Sequence, residues 1–272
     1  MGFDSSAQKF LSIIPNQPGL YRVREMGSKN LVYIGQTGKS LRTRLNTLRK
    51  YMLQDEMPFN DPHTAAPNLW AWRVENRMEF EGSATPQNLT KQEREGLECF
   101  LLWRYRQERG RSTLCNHGWF HPDYQKSGSR AFQKRGHKLT VRKGKPGSPS
   151  PPLSSNSLTS AKWGWSKDLP LTPQEIENHF NREDKIIGLY KLSNRTSSQI
   201  LYIGQSRNLK SRLMSHSRKD WAGLEIKFSV HQITPESLNK FPRQLAELEN
   251  DLIGIFYDKF KKVPLFQFKG HK

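Results

Sequence analysis

The sequence predicts an α/β protein of the α+β type: two copies of one small module, each a three-stranded antiparallel sheet flanked by helices. Three observations lead there. Strand-like blocks containing Gly19-Leu20-Tyr21 and Leu31-Val32-Tyr33-Ile34-Gly35-Gln36 recur as Gly188-Leu189-Tyr190 and Leu201-Tyr202-Ile203-Gly204-Gln205. Helical blocks follow each pair in the same order, and ordered self-similarity of this kind marks a duplication. Between the copies lies a stretch too poor in apolar residues to offset its ordering entropy. The expected division is residues 1–125, a linker at 126–161, and residues 162–272.

Each copy is expected to open with a short amphipathic helix, at 6–13 and at 173–180. The second helix is announced by the capping box Thr172-Pro173-Gln174-Glu175. The first strand, a polar turn (26–30; 193–198) and the second strand follow. Tyr21 and Tyr33 stand at the same spacing as Tyr190 and Tyr202, which predicts two phenols on adjacent antiparallel strands. A basic helix comes next, Leu41-Arg42-Thr43-Arg44-Leu45 in one copy and Leu209-Lys210-Ser211-Arg212-Leu213 in the other. A third strand is expected at 69–74 and at 225–230. A longer helix closes each copy and carries Leu97-Glu98 or Leu248-Glu249; the first begins at the capping box Thr90-Lys91-Gln92-Glu93. Residues 54–68 have no counterpart in the second copy. The linker is basic and acid-free over 126–145, then rich in Gly, Pro and Ser.

Charge narrows the partner. Forty-four Lys and Arg against 25 acids give a formal net charge of +19. Such a surface attracts polyanions and releases counterions from a phosphate backbone, so nucleic acid is the expected partner. No apolar run reaches the roughly 20 residues that span a bilayer, and no signal pattern opens the chain. A soluble, intracellular (cytoplasmic) protein with no membrane partner is expected. Cys99 and Cys115 do not make a disulfide framework. With His117 and His121 they match no common zinc spacing, and a buried cysteine beside surface histidines is the expectation.

Two glutamates stand out. Glu98 shares a helix face with Leu101, Leu102 and Tyr105, and Glu249 with Leu245, Leu252, Ile253 and Phe256. A carboxylate in an apolar stripe must be paired or bound to a cation. An ion pair with Arg44 or Arg212 is one reading; recurrence of the anomaly in both copies favours a metal ligand. Arg44 and Arg212 each precede a core leucine, where a guanidinium can hold two phosphate oxygens and neutralise growing charge.

The ordered set of Gly-x-Tyr, Tyr-Ile-Gly, helical Arg and helical Glu resembles the GIY-YIG nuclease family, and does so twice. The resemblance implies hydrolysis of DNA phosphodiesters with Mg²⁺ or Mn²⁺, held by Glu98 and Glu249. It implies that Arg44 and Arg212 bind phosphate, and that Tyr21 with Tyr33, and Tyr190 with Tyr202, deprotonate and position water. The family's supporting Asn fits Asn116, where the second copy has Gln267, which implies a weaker second site. Some members carry a His one turn after the Arg; His216 fits, where the first copy has Leu48. The resemblance also implies a double-stranded DNA target, cut on both strands by a monomer that pairs its two modules internally. Residues 54–68 become a candidate recognition loop. Trp163-Gly164-Trp165 either packs on its own domain or stacks on DNA. The alternatives are a structure-specific repair or mobile-element nuclease, and a nucleic-acid-binding protein that has lost catalysis.

Overall fold

The computed structural model describes residues 13–59, 65–128, 134–140, 147–180 and 185–269. The helix expected at 6–13 lies outside them, apart from Ile13, which sits in a turn. The chain is a mixed α/β protein with antiparallel sheets. It forms two compact units. The first takes Met1–Glu98 and Ser112–Pro146, the second Cys99–Arg111 and Gly147–Lys272. None of the described helices is long and apolar enough to cross a membrane.

In the first unit β1 (Gly19–Glu25), β2 (Leu31–Thr37) and β3 (Phe80–Pro86) form a sheet in the order β2-β1-β3. Helix α1 (Leu41–Met52) is capped by Ser40, whose side chain accepts from the Thr43 N–H. Its Leu41, Leu45, Leu48 and Met52 are buried, an i, i+4, i+7, i+11 stripe facing the sheet. The strand expected at 69–74 is instead part of helix α2 (Ala65–Asn76). Ala65, Ala66 and Leu69 pack at helical spacing into the same core as Leu45 and Leu48. A short apolar run carries no period of its own that separates strand from helix, and the α1 surface decides it. The true third strand, β3, is largely polar and is held by seven register pairs with β1.

The basic stretch expected as linker begins as structure. Strands β4 (Tyr124–Gln125) and β5 (His137–Lys138) form a hairpin in the first unit. Tyr124 packs edge-on against Trp70 at 5.7 Å, and Lys138 Nζ donates to both carboxylate oxygens of Glu75. His121, expected at the surface, is buried; its Nε2 lies 2.7 Å from Asn76 Oδ1 and its Nδ1 accepts from the Asp123 N–H.

The second unit's sheet has four strands where three were expected: β6 (Leu169–Pro170), β7 (Gly188–Asn194), β8 (Ile200–Ser206) and β9 (Ile226–Gln232), in the order β6-β9-β7-β8. Preceding β7 is helix α4 (Pro173–His179), capped by Thr172 as expected. Helix α5 (Leu209–Ser217) and α4 pack on one face with Leu192, Leu201 and Phe228. Helix α6 (Pro235–Lys240) follows β9, and the other face, with Leu189 and Ile203, is covered by α7 (Gln244–Phe260). Residues 147–160 drape onto that core: Leu153 and Leu158 are buried, and Trp103 Nε1 donates to the Leu153 carbonyl. Trp163 stacks on His231 at 4.0 Å, and Lys191 Nζ lies 4.4 Å from the Trp165 ring centre. Both tryptophans therefore pack on their own unit.

Candidate active site

The two strand pairs share one register. Tyr21 faces Gly35 and Val23 faces Tyr33; Tyr190 faces Gly204 and Leu192 faces Tyr202. The phenols are thus diagonal cross-strand neighbours, with ring centres 6.0 Å apart in both units. Each pair is followed by the same irregularity, after Val23 and after Leu192. Gly35 and Gly204 are required by this packing. A Cβ on Gly35 would lie 2.7 Å from Tyr21 Oη and 2.6 Å from the Tyr33 ring, and one on Gly204 would overlap Tyr190 Oη.

The basic helix then delivers its arginine to the first tyrosine. Arg44 Nε donates to Tyr21 Oη at 3.0 Å, and Arg212 Nε to Tyr190 Oη at 3.2 Å. Arg212 also hydrogen-bonds Tyr202. Tyr21 and Tyr190 are buried, whereas Tyr33 and Tyr202 keep an exposed edge. In the second unit His216 is fully buried, with Nε2 2.8 Å from Tyr190 Oη. Burial pushes the Tyr190 hydroxyl above its usual range, Tyr202 and Glu249 adding to the effect against Arg212. Its proton therefore stays on at neutral pH, with Arg212 Nε and the His216 ring both within hydrogen-bond reach of the hydroxyl. Leu48, buried in the first core, fills the corresponding place.

The glutamates come from the closing helices. Helix α3 (Lys91–Arg109) starts at Thr90, whose backbone N–H and hydroxyl both donate to Glu93 Oε2. Glu98 lies on its first half, which belongs to the first unit. Glu98 and Glu249 each feel their arginine, Arg44 or Arg212, through its charge. Burial pushes the Glu98 carboxyl up to about 8, with the charge of Glu95 adding to the rise and Arg44 opposing it. Glu249 is pushed up to about 7 by burial, against Arg212 and a hydrogen bond from the Gln205 backbone. On the apolar stripe read beside Glu98, Leu102 and Tyr105 are buried but Leu101 is 36% exposed.

Asn116 and Gln267 turn out to be structural equivalents. Asn116 Oδ1 accepts from the Ile34 N–H and its Nδ2 donates to the Ile34 carbonyl. Gln267 Oε1 accepts from the N–H of Ile203, the residue between tyrosine and glycine in the second unit. Both amide oxygens thus accept the N–H of the residue between tyrosine and glycine on the second strand of the pair.

Sequence reasoning missed a buried ion cluster in the second unit. Arg106 Nε donates to Asp251 Oδ1 at 2.8 Å, and Arg106 Nη1 lies 3.3 Å from Glu247 Oε1, with all three side chains fully buried. Ser150 donates through its N–H and hydroxyl to Glu247, and the Leu153 N–H donates to Asp251. On α7, Glu247 and Asp251 are buried and satisfied by protein groups, while the half-buried Glu249 takes one backbone N–H. Among the described residues no group of three or more His, Cys, Asp or Glu is placed to hold a metal. Burial holds the Cys115 thiol well above its usual range. No family model matches the chain, and no curated protein or solved structure matches it either.

Proposed function

We propose that the chain is a Mg²⁺- or Mn²⁺-dependent endonuclease that hydrolyses DNA phosphodiesters, a restriction-type enzyme whose two units each cut one strand. One observation carries this reading: a buried tyrosine bonded to a helical arginine, a second tyrosine 6.0 Å away and a half-buried glutamate that feels the arginine's charge occur together in both units.

A single desolvated carboxylate suits a hard divalent ion that takes its other ligands from water and phosphate oxygens. Glu98 and Glu249 would hold it, and it would supply charge neutralisation and polarise the phosphate. Arg44 and Arg212, their Nε atoms fixed on tyrosine, direct the rest of the guanidinium at a phosphate. Tyr33 and Tyr202, with an exposed edge, orient the attacking water. In the second unit His216 accepts the Tyr190 proton, which makes a phenolate available where burial alone opposes one. The net charge of +19 brings the DNA.

Plasmid and phage DNA incubated with Mg²⁺ test this. Discrete fragments with fixed termini are expected; Glu98→Gln or Glu249→Gln alone leaves nicked circles, and the double variant leaves intact DNA. Cutting confined to branched or damaged DNA would move the assignment to a repair nuclease. Salt-sensitive binding with no cutting in any divalent ion would overturn it.

A further inference from the structure

The first unit buries an arginine without a counter-ion. Arg94 lies near the start of α3, four residues before Glu98, and is only 7% exposed. Its Nη1 donates to the Leu89 carbonyl and its Nε donates to Gln36 Oε1 at 3.4 Å, both neutral acceptors. Among the described residues Nη2 has no hydrogen-bond partner, and no carboxylate pairs with the guanidinium. Glu95, next along the helix, feels the charge of Lys91 ahead of that of Arg94, and its Oε1 stands 4.0 Å from Lys91 Nζ.

A buried cation held by neutral groups carries a desolvation cost that they only partly return. The position adds to the cost, because the first turn of a helix is the positive end of its dipole. The second unit avoids both: Leu245 stands four residues before Glu249 and belongs to the core.

The unbonded edge of the guanidinium meets the turn between β2 and α1. A Cβ on Gly38 would stand 2.6 Å from Arg94 Nη2, and apart from Arg94 nothing else comes near that point. The absent side chain therefore leaves a place at hydrogen-bonding distance from Nη2, which a phosphate oxygen can take. Gly38 and Lys39 are exposed, and Lys39 brings a second positive charge to the same turn. In the second unit the turn is one residue shorter and has no glycine, Ser206-Arg207-Asn208 standing against Thr37-Gly38-Lys39-Ser40.

We infer that Arg94, with Gly38 and Lys39, forms a phosphate-binding subsite of the first unit that takes a DNA backbone phosphate other than the scissile one, and that the second unit lacks it. This rests on the reading of the chain as a protein that acts on DNA. The bound phosphate supplies the negative charge that the protein withholds from Arg94, so the first unit grips DNA through one more contact than the second.

Fluorescence anisotropy of labelled duplex DNA, followed across a salt series without divalent metal, tests the subsite independently of cleavage. Arg94→Leu installs the second unit's residue. It is expected to weaken binding at low salt and to make the slope of log affinity against log salt shallower by about 0.9, the share of one phosphate contact. Arg94→Lys keeps the slope. Gly38→Ala, which sets a methyl group against Nη2, weakens binding as well. Thermal melts separate this from a structural role: Arg94→Leu melts no lower than the unaltered chain, because it removes an uncompensated buried charge. A lower melting temperature with an unchanged slope would make Arg94 structural and overturn the inference. So would inorganic phosphate that raises the melting temperature of the unaltered chain while Arg94→Leu leaves the DNA slope intact, since the site would then take free phosphate. In either case the nuclease reading stands. If the unaltered chain binds no DNA, both fall.

Discussion

Arg44 and Arg212 make the same bond to a tyrosine hydroxyl, yet Arg44 is only 8% exposed and Arg212 lies open to solvent. The difference continues one turn later. Leu48 seals the first site into an apolar core, while His216 brings a buried ring nitrogen to the second. The first unit instead places Glu95 beside Glu98. What the two units share is the frame of two tyrosines, an arginine and a glutamate. Where they differ is in the charged and titratable groups around it. The parts fixed by backbone register agree between the units, and those reached only by side chains do not.

The comparison can be broken hardest through the ion cluster of the second unit. Arg106→Met leaves Glu247 and Asp251 buried without their cation, a loss of about 3–5 kcal/mol. Two-phase thermal unfolding, with the early phase assigned by hydrogen exchange to the second unit, is the expected result. Retention of a single unshifted transition would show that the cluster contributes nothing. His216→Leu comes next, converting the second site to the pattern of the first. General-base assistance is typically worth about 10²-fold or more, so cutting of one strand slows by that factor while the other is unchanged. Equal slowing of both strands would contradict separate sites.

The smallest effect sharpens the comparison through pH. Both glutamates hold their protons more tightly in the folded protein than in the unfolded chain, so metal-free stability falls as pH rises from about 4.5 towards 7 for Glu249 and 8 for Glu98. A divalent cation must displace those protons. Mn²⁺ affinity therefore climbs with pH, levelling near pH 7 in the Glu98→Gln variant and near pH 8 in the Glu249→Gln variant. Coincident profiles would remove the electrostatic difference between the units.

How much of this was legible depended on where each signal resides. The capping boxes at Thr90 and Thr172 and the tyrosine spacing act over a few residues, and the structure follows them. The segment 69–74 could not be assigned locally, because the surface of α1 selects a helix there. Glu247 and Asp251 carry no comparable local signal, because Arg106, the partner that accompanies their burial, comes from a helix far away in sequence. Asn116 and Gln267 differ in type, and only the fold shows that both accept the N–H following the second tyrosine.

By itself the sequence determined the repeated strand pairs, the glycines opposite the tyrosines and the helices that carry Arg44, Arg212, Glu98 and Glu249. Those follow from periodicity, capping and steric demand, which neighbouring residues express directly. Only the tertiary structure decided which acids of the second unit are satisfied by a buried arginine. It also decided that the linker's ends are built into the units, and that Tyr190 has a histidine where Tyr21 has a leucine-lined core. Those outcomes depend on burial and on partners brought from afar, and a carboxylate's chemistry is set by that surrounding rather than by its place in the chain.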